Sequence, residues 1–216
     1  MEKFHNMLNR LKQDVYSMGS LACEILEDSI ESLINLDIEL AEKTHAKKDT
    51  LMKYDNEIEG KALKMIAQYQ PMAIDMRTLA CILKSTVKLT RIGRYGKDIA
   101  NIVRKELDGK RHIKKIVLIK QMTEVAVKMV QDCLKAFDQE ELEPIKEMGP
   151  RDDVVDDYRM SIFRECLTYM MENAQNIPVC IAYIMTSRYL ERCGDHACDI
   201  SEMVHYMITG KRIEIK

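Results

Sequence analysis

The chain has 216 residues, 46% hydrophobic and 31% charged, with 33 basic side chains nearly balancing 35 acidic ones. This length buries a substantial core without staples, and the near-zero net charge argues against general attraction to nucleic acid or anionic lipid, so any electrostatic function is local. Sparse aromatics, no Trp, eight Gly and four Pro favour long helices over sheets.

The first element shows apolar residues at helical spacing, among them Leu11, Val15, Met18, Ala22, Ile25, Leu26, Ile30 and Leu33, a stripe that faces a core. Breaks near Leu36-Asp37, Gln70-Pro71, Leu107-Asp-Gly-Lys110, Pro144 with Gly149-Pro150, and Asn176-Ile-Pro178 divide the rest. The helices expected are 5–36, 38–69, 75–107, 112–138, 151–176 and 178–209. Residues 139–150 are read as an early turn and a break, with Asp152 near a helix N-terminus. Short connections make neighbours antiparallel, giving an all-α fold of two tandem three-helix bundles, 1–109 and 110–216, with Asp108-Gly109 as the seam. The opening residues lack a signal-peptide core and no run of about 18 apolar residues occurs, which leads us to expect a cytoplasmic protein. Seven Cys without a Cys-x-x-Cys pair read as reduced thiols in its interior.

Two stretches are imperfect copies of each other: Arg91-Ile-Gly-Arg-Tyr-Gly-Lys-Asp98 and Arg192-Cys-Gly-Asp-His-Ala-Cys-Asp199. The second carries Glu191, Asp195 and Asp199 at i, i+4, i+8, one helix face that Glu202 extends. The preceding helix begins Asp152-Asp-Val-Val-Asp-Asp157, with Asp-x-x-x-Asp pairs at 152/156 and 153/157. If Asp152 and Asp156 face Glu191 and Asp195, four carboxylates meet in an oxygen-rich site suited to iron, manganese, magnesium or zinc. His196, about 100° round the helix from Asp195, is a weaker candidate and is expected at the surface or between helices. Cys193 and Cys198 read as packing residues. His205, three residues after Glu202, is a minor candidate for extending the acidic face.

The run Leu190-Glu-Arg-Cys-Gly-Asp-His-Ala-Cys-Asp-Ile200 resembles the signature of the PhoU proteins, usually Leu-Glu-Arg-Ile-Gly-Asp-x-Ala-x-Asn-Ile. Leu167-Thr-Tyr-Met-Met-Glu172 and Gln70-Pro-Met-Ala-Ile-Asp-Met-Arg77 resemble further stretches of that family, and the likeness spans nearly the whole chain. The resemblance implies two three-helix bundles, multinuclear metal clusters on Glu/Asp-x-x-x-Asp pairs, iron being the first expectation, and a non-enzymatic role restraining phosphate uptake and signalling. The partners it implies are the ATPase subunit of a phosphate ABC transporter or a sensor histidine kinase, with the chain itself a homodimer. Carried over by position, Asp152, Asp156, Glu191 and Asp195 match one cluster's ligands, and Asp199 stands where Asn is usual.

The first half departs from that pattern. Lys48 and Met52 stand at the positions of Asp152 and Asp156, and Thr90 and Arg94 at those of Glu191 and Asp195, so its cluster is expected to be absent. Arg94 is expected to replace the missing cation's charge by pairing with Asp49, Asp55 or Asp98. Lys48, Arg91 and Arg94 together form a candidate patch for an anion or an acidic partner, although the expected role of Arg91 is to brace the bundle by ion pairing. Rival readings are a carboxylate-bridged metal oxidase and a metal-storage protein. The oxidase class needs paired Glu-x-x-His motifs, and Glu202/His205 is one instance of that spacing.

Overall fold

The computed structural model describes residues 2–113 and 117–215, and its order is entirely helical. The helices are α1 Glu2–Asn35, α2 Ile38–Ala46, α3 Lys48–Tyr69, α4 Ile74–Glu106, α5 Val117–Gln139, α6 Met148–Glu172 and α7 Ile177–Thr209, with 3-10 turns at Glu143–Ile145 and Ala174–Asn176.

The expected helix 38–69 is two helices that break at Lys47. Asp37 caps the first, its carboxylate accepting the Leu40 N–H at 2.9 Å. At the break, Lys47 reaches back to α1, where its ammonium meets Glu24 at 2.6 Å and also Asp28. α3 stops at Gln70, held in the left-handed region at φ 46° just before Pro71. α5 begins at Val117 rather than 112: His112 and Ile113 are not helical, and residues 114–116 lie outside the described residues. α6 begins earlier than expected, at Met148, because Pro150 falls in its first turn, where the missing N–H removes no helical bond.

Four long helices form the centre. α1 packs on α4, α4 on α7, α7 on α5 and α5 on α1, with α2 and α3 against α1 and α4 on one flank and α6 against α5 and α7 on the other. The apolar stripes of both halves merge into one cluster, from Leu11, Val15 and Met18 of α1 through Ile82 and Leu89 of α4 to Leu190 and Val204 of α7. Burying such side chains contributes roughly 1.5–3 kcal/mol each before conformational entropy is counted. The seven cysteines are all free and buried. Among the described residues no helix is long and apolar enough to cross a membrane.

Candidate functional site

The centre of the acidic face is a glycine. A Cβ on Gly194 of α7 would lie 2.7 Å from Asp152 Oδ1 and 3.6 Å from Val155 Cγ1 of α6. The bare backbone therefore lets the first turns of α6 approach and bring the Asp152 carboxylate onto α7, which offsets the roughly 1 kcal/mol helical cost of glycine.

Asp152 is half-buried, and its carboxyl is pushed up from 3.8 to about 6. Burial is the largest cause, followed by the negative charges of Asp195, Asp156, Glu191 and Asp153. Glu191 is raised too, by burial and then Asp195, against the opposing pull of Arg192 and Arg159. The four carboxylates expected to face one another thus share one electrostatic neighbourhood. Part of the charge is balanced internally, since Arg192 Nη1 donates to Asp195 at 2.9 Å and the guanidinium of Arg159 stands 4.0 Å from Glu191. Among the described residues no three His, Cys, Asp or Glu side chains converge closely enough to hold a metal ion as they stand.

Asp199 is drawn away from this group. It pairs with Lys88 of α4 at 2.7 Å and accepts from His196 at 3.2 Å. Burial alone would raise its carboxyl, but these hydrogen bonds outweigh it and hold it below the ordinary range. The reason is helical drift: at about 100° per residue, Asp195 lies some 40° round from Glu191 and Asp199 some 80°, enough to turn it to the α4 side. His196 is buried between helices, its ring 5.9 Å from that of Tyr95. Burial keeps it below the usual imidazole value. Cys193 and Cys198 are buried thiols whose ionisation burial suppresses. Glu202 and His205 are engaged by the segment after α7, the first accepting the Ile215 N–H at 2.8 Å and the second bonding the Lys211 carbonyl at 3.0 Å. Neither points to an oxidase-like core.

The equivalent place in the first half is filled by hydrocarbon. A Cβ on Gly93 of α4 would lie 2.3 Å from Leu51 Cδ2, and Leu51 is fully buried. Leu51 is the register partner of Val155, and its longer side chain occupies the space that the Asp152 carboxylate takes beside Gly194. Met52 is exposed and Thr90 leaves its buried hydroxyl without a hydrogen bond.

The charge replacement expected of Arg94 is not formed. Asp98 is held by Lys97 at 2.6 Å, and among the described residues no ion pair joins Lys48, Arg91 or Arg94 to an acid. Arg91 therefore does not brace the bundle by ion pairing. Its charge helps to lower the His196 imidazole of α7, and that of Lys48 the imidazole of His45, in each case after the larger effect of burial. The reason is local: Lys97 is adjacent to Asp98 and reaches it first. Sequence reasoning missed Lys88, Arg159 and Leu51. Charge periodicity marks none of them, because each acts across an interhelical contact.

Comparisons with known proteins agree with this architecture. The PhoU domain model matches residues 15–103 and 119–204. The chain is 34% identical over 219 residues to a phosphate-specific transport system accessory protein PhoU homolog of Rhizobium meliloti, covering 97% of this chain and 89% of that one. It is 34% identical to PhoU homolog 1 of Thermotoga maritima, covering 98% and 91%. The crystal structure of PhoU from Pseudomonas aeruginosa superposes with a TM-score of 0.91 at 29% identity, covering 96% of this chain and all of that one. With both halves matched and the helical architecture shared throughout, the chain belongs to the PhoU family.

Proposed function

We propose that this chain is a regulatory accessory protein of a phosphate-specific transport system, working by contact with other proteins rather than by chemistry on a substrate. The names of its relatives support the transport role. The observation that carries the site is the Asp152 carboxylate seated against Gly194 among Asp156, Glu191 and Asp195.

The second-half face is the metal-binding part. All four donors are carboxylate oxygens, which suit hard cations such as iron, manganese or magnesium, and less selectively zinc. Asp152, Asp156, Glu191 and Asp195 would hold the metal. A bound cation would supply positive charge that relieves their mutual repulsion and ties α6 to α7. Asp199, committed to Lys88, serves the α4–α7 contact instead. The first half binds no metal, because Leu51 occupies the space beside Gly93 and Lys48 and Met52 offer no acid.

Elemental analysis of protein purified without chelator, beside an Asp152→Ala, Glu191→Ala, Asp195→Ala variant, tests the metal reading. Metal in the parent and none in the variant is the expected result; a parent that takes up neither iron, manganese nor zinc overturns it. The regulatory reading is tested by co-purification with the transporter's ATPase subunit and with the sensor kinase, and by phosphate uptake in cells lacking the chain. Unrestrained uptake is expected. Unchanged uptake with neither partner retained overturns the reading.

A further inference from the structure

After α7 the chain reverses. Gly210 takes φ +73°, a conformation that suits glycine, and its N–H closes the helix on the Tyr206 carbonyl at 2.9 Å. Residues 211–215 then run as a non-helical strap back along α7. Specific contacts hold it. The Lys211 N–H donates to Thr209 Oγ1 at 3.0 Å, the Lys211 carbonyl bonds His205 Nδ1, and the Ile215 N–H donates to Glu202 at 2.8 Å. The Arg212 guanidinium stands over the Tyr206 ring at 5.4 Å.

The fit beneath the strap is incomplete. Ile215 packs against the core, but Ile213 remains 39% exposed. A cavity of about 270 Å³ opens between Ile213, Ile215, Leu142, Ile145 and Met148. A second, of about 300 Å³, opens between Ile213, Arg212, Tyr206, Met203, Ala80 and Cys81. An element belonging to the core would fill such space, because interiors close-pack. This segment instead touches its groove as a peptide ligand does, with two aliphatic side chains at alternate positions and a backbone N–H aimed at a carboxylate.

We infer that the groove bounded by Leu142, Ile145, Met148, His205 and Glu202 is a docking site for an extended segment of a partner protein, and that residues 211–215 are an internal ligand occupying it. The partner segment has the chemistry of the strap: basic residues followed by aliphatic residues at alternate positions, with the N–H of the second aliphatic residue meeting Glu202. Binding requires displacement of the strap, so this contact opens only to a partner that outcompetes it. The inference is independent of the metal reading.

The test uses the free peptide Lys-Arg-Ile-Glu-Ile-Lys, labelled with fluorescein, against the parent, a chain stopped after Gly210, and the stopped chain carrying Glu202→Ala. Anisotropy should show saturable binding to the stopped chain and loss of it with Glu202→Ala or when both isoleucines of the peptide are serine. A tethered segment competes at an effective concentration of the order of millimolar, so the parent should bind the peptide at least about tenfold more weakly. Full-length Ile213→Asp, Ile215→Asp, which frees the strap without shortening the chain, should gain peptide binding as well. Equal binding to parent and stopped chain, or binding to neither, overturns the inference. So does loss of the helical circular dichroism in both the stopped chain and the double variant, which would make the strap part of the core. A change of oligomeric state on removing the strap overturns it in favour of exchange with a second copy.

Discussion

Beside Gly93 the space under the helix is filled by Leu51, and beside Gly194 it is shared by the shorter Val155 and the Asp152 carboxylate. Both glycines admit a neighbouring helix at a distance that a Cβ would forbid. What differs is the reach of one aliphatic side chain and the charge of the residue three positions before it. Where leucine extends fully, the contact is hydrophobic and closed; where valine stops short, a carboxylate enters and gathers further acids by position. The same backbone arrangement therefore yields a packing joint in one half and a charged joint in the other.

The comparison is broken most severely by Leu51→Ala. It should cost about 2–5 kcal/mol, because the cavity left beside Gly93 is lined by rigid helices. Urea unfolding measures it, and a loss below about 1 kcal/mol would show that the first joint is not closed by Leu51.

Val155→Leu tests the converse by imposing the first-half side chain on the second half. Overpacking should cost about 1–3 kcal/mol, and the larger side chain should push Asp152 off Gly194. Carboxylate NMR of Asp152 should then show its pKa fall from about 6 toward the ordinary value near 3.8. A pKa that stays put would mean that Val155 does not control the carboxylate.

Asp152→Asn removes the charge and little else. In the metal-free chain the folded-state pKa lies above the unfolded one, so ionising Asp152 costs stability. That penalty is absent below about 3.8, grows as pH rises toward about 6 and is complete above it. The parent should therefore lose stability through this window, and the Asn variant should not. At pH 7.5 the variant should be more stable by about 1 kcal/mol at most, since the group is partly exposed and solvent screens it. Parallel thermal melts at pH 5 and pH 7.5 decide the matter.

The smallest effect belongs to Arg94→Glu. Exposed and without an ion pair among the described residues, Arg94 should change stability by less than about 0.5 kcal/mol. A larger change would revive the expectation that it replaces the lost cation's charge.

Much of this was legible in the chain. The helices follow from 3.6-residue periodicity, and the resemblance around Gly194 named the acids that share a neighbourhood. Helix joints were less legible: the break at Lys47 depends on Glu24 and Asp28 of α1, and the early start of α6 on Pro150 falling in a first turn.

By itself the sequence determined what is local: which residues face inward, where Gly removes a Cβ, and which helix carries acids four apart. Only the tertiary structure decided which of those acids stay together. Asp199, turned toward α4 by helical drift, is held away from the group by Lys88, which is more than a hundred residues distant in sequence and stands 2.7 Å from it. Leu51 closed the first joint because α3 lies against α4 in that register. Helical periodicity specifies a direction around one axis, whereas a charge partner or a filled space depends on what a second helix brings to that direction.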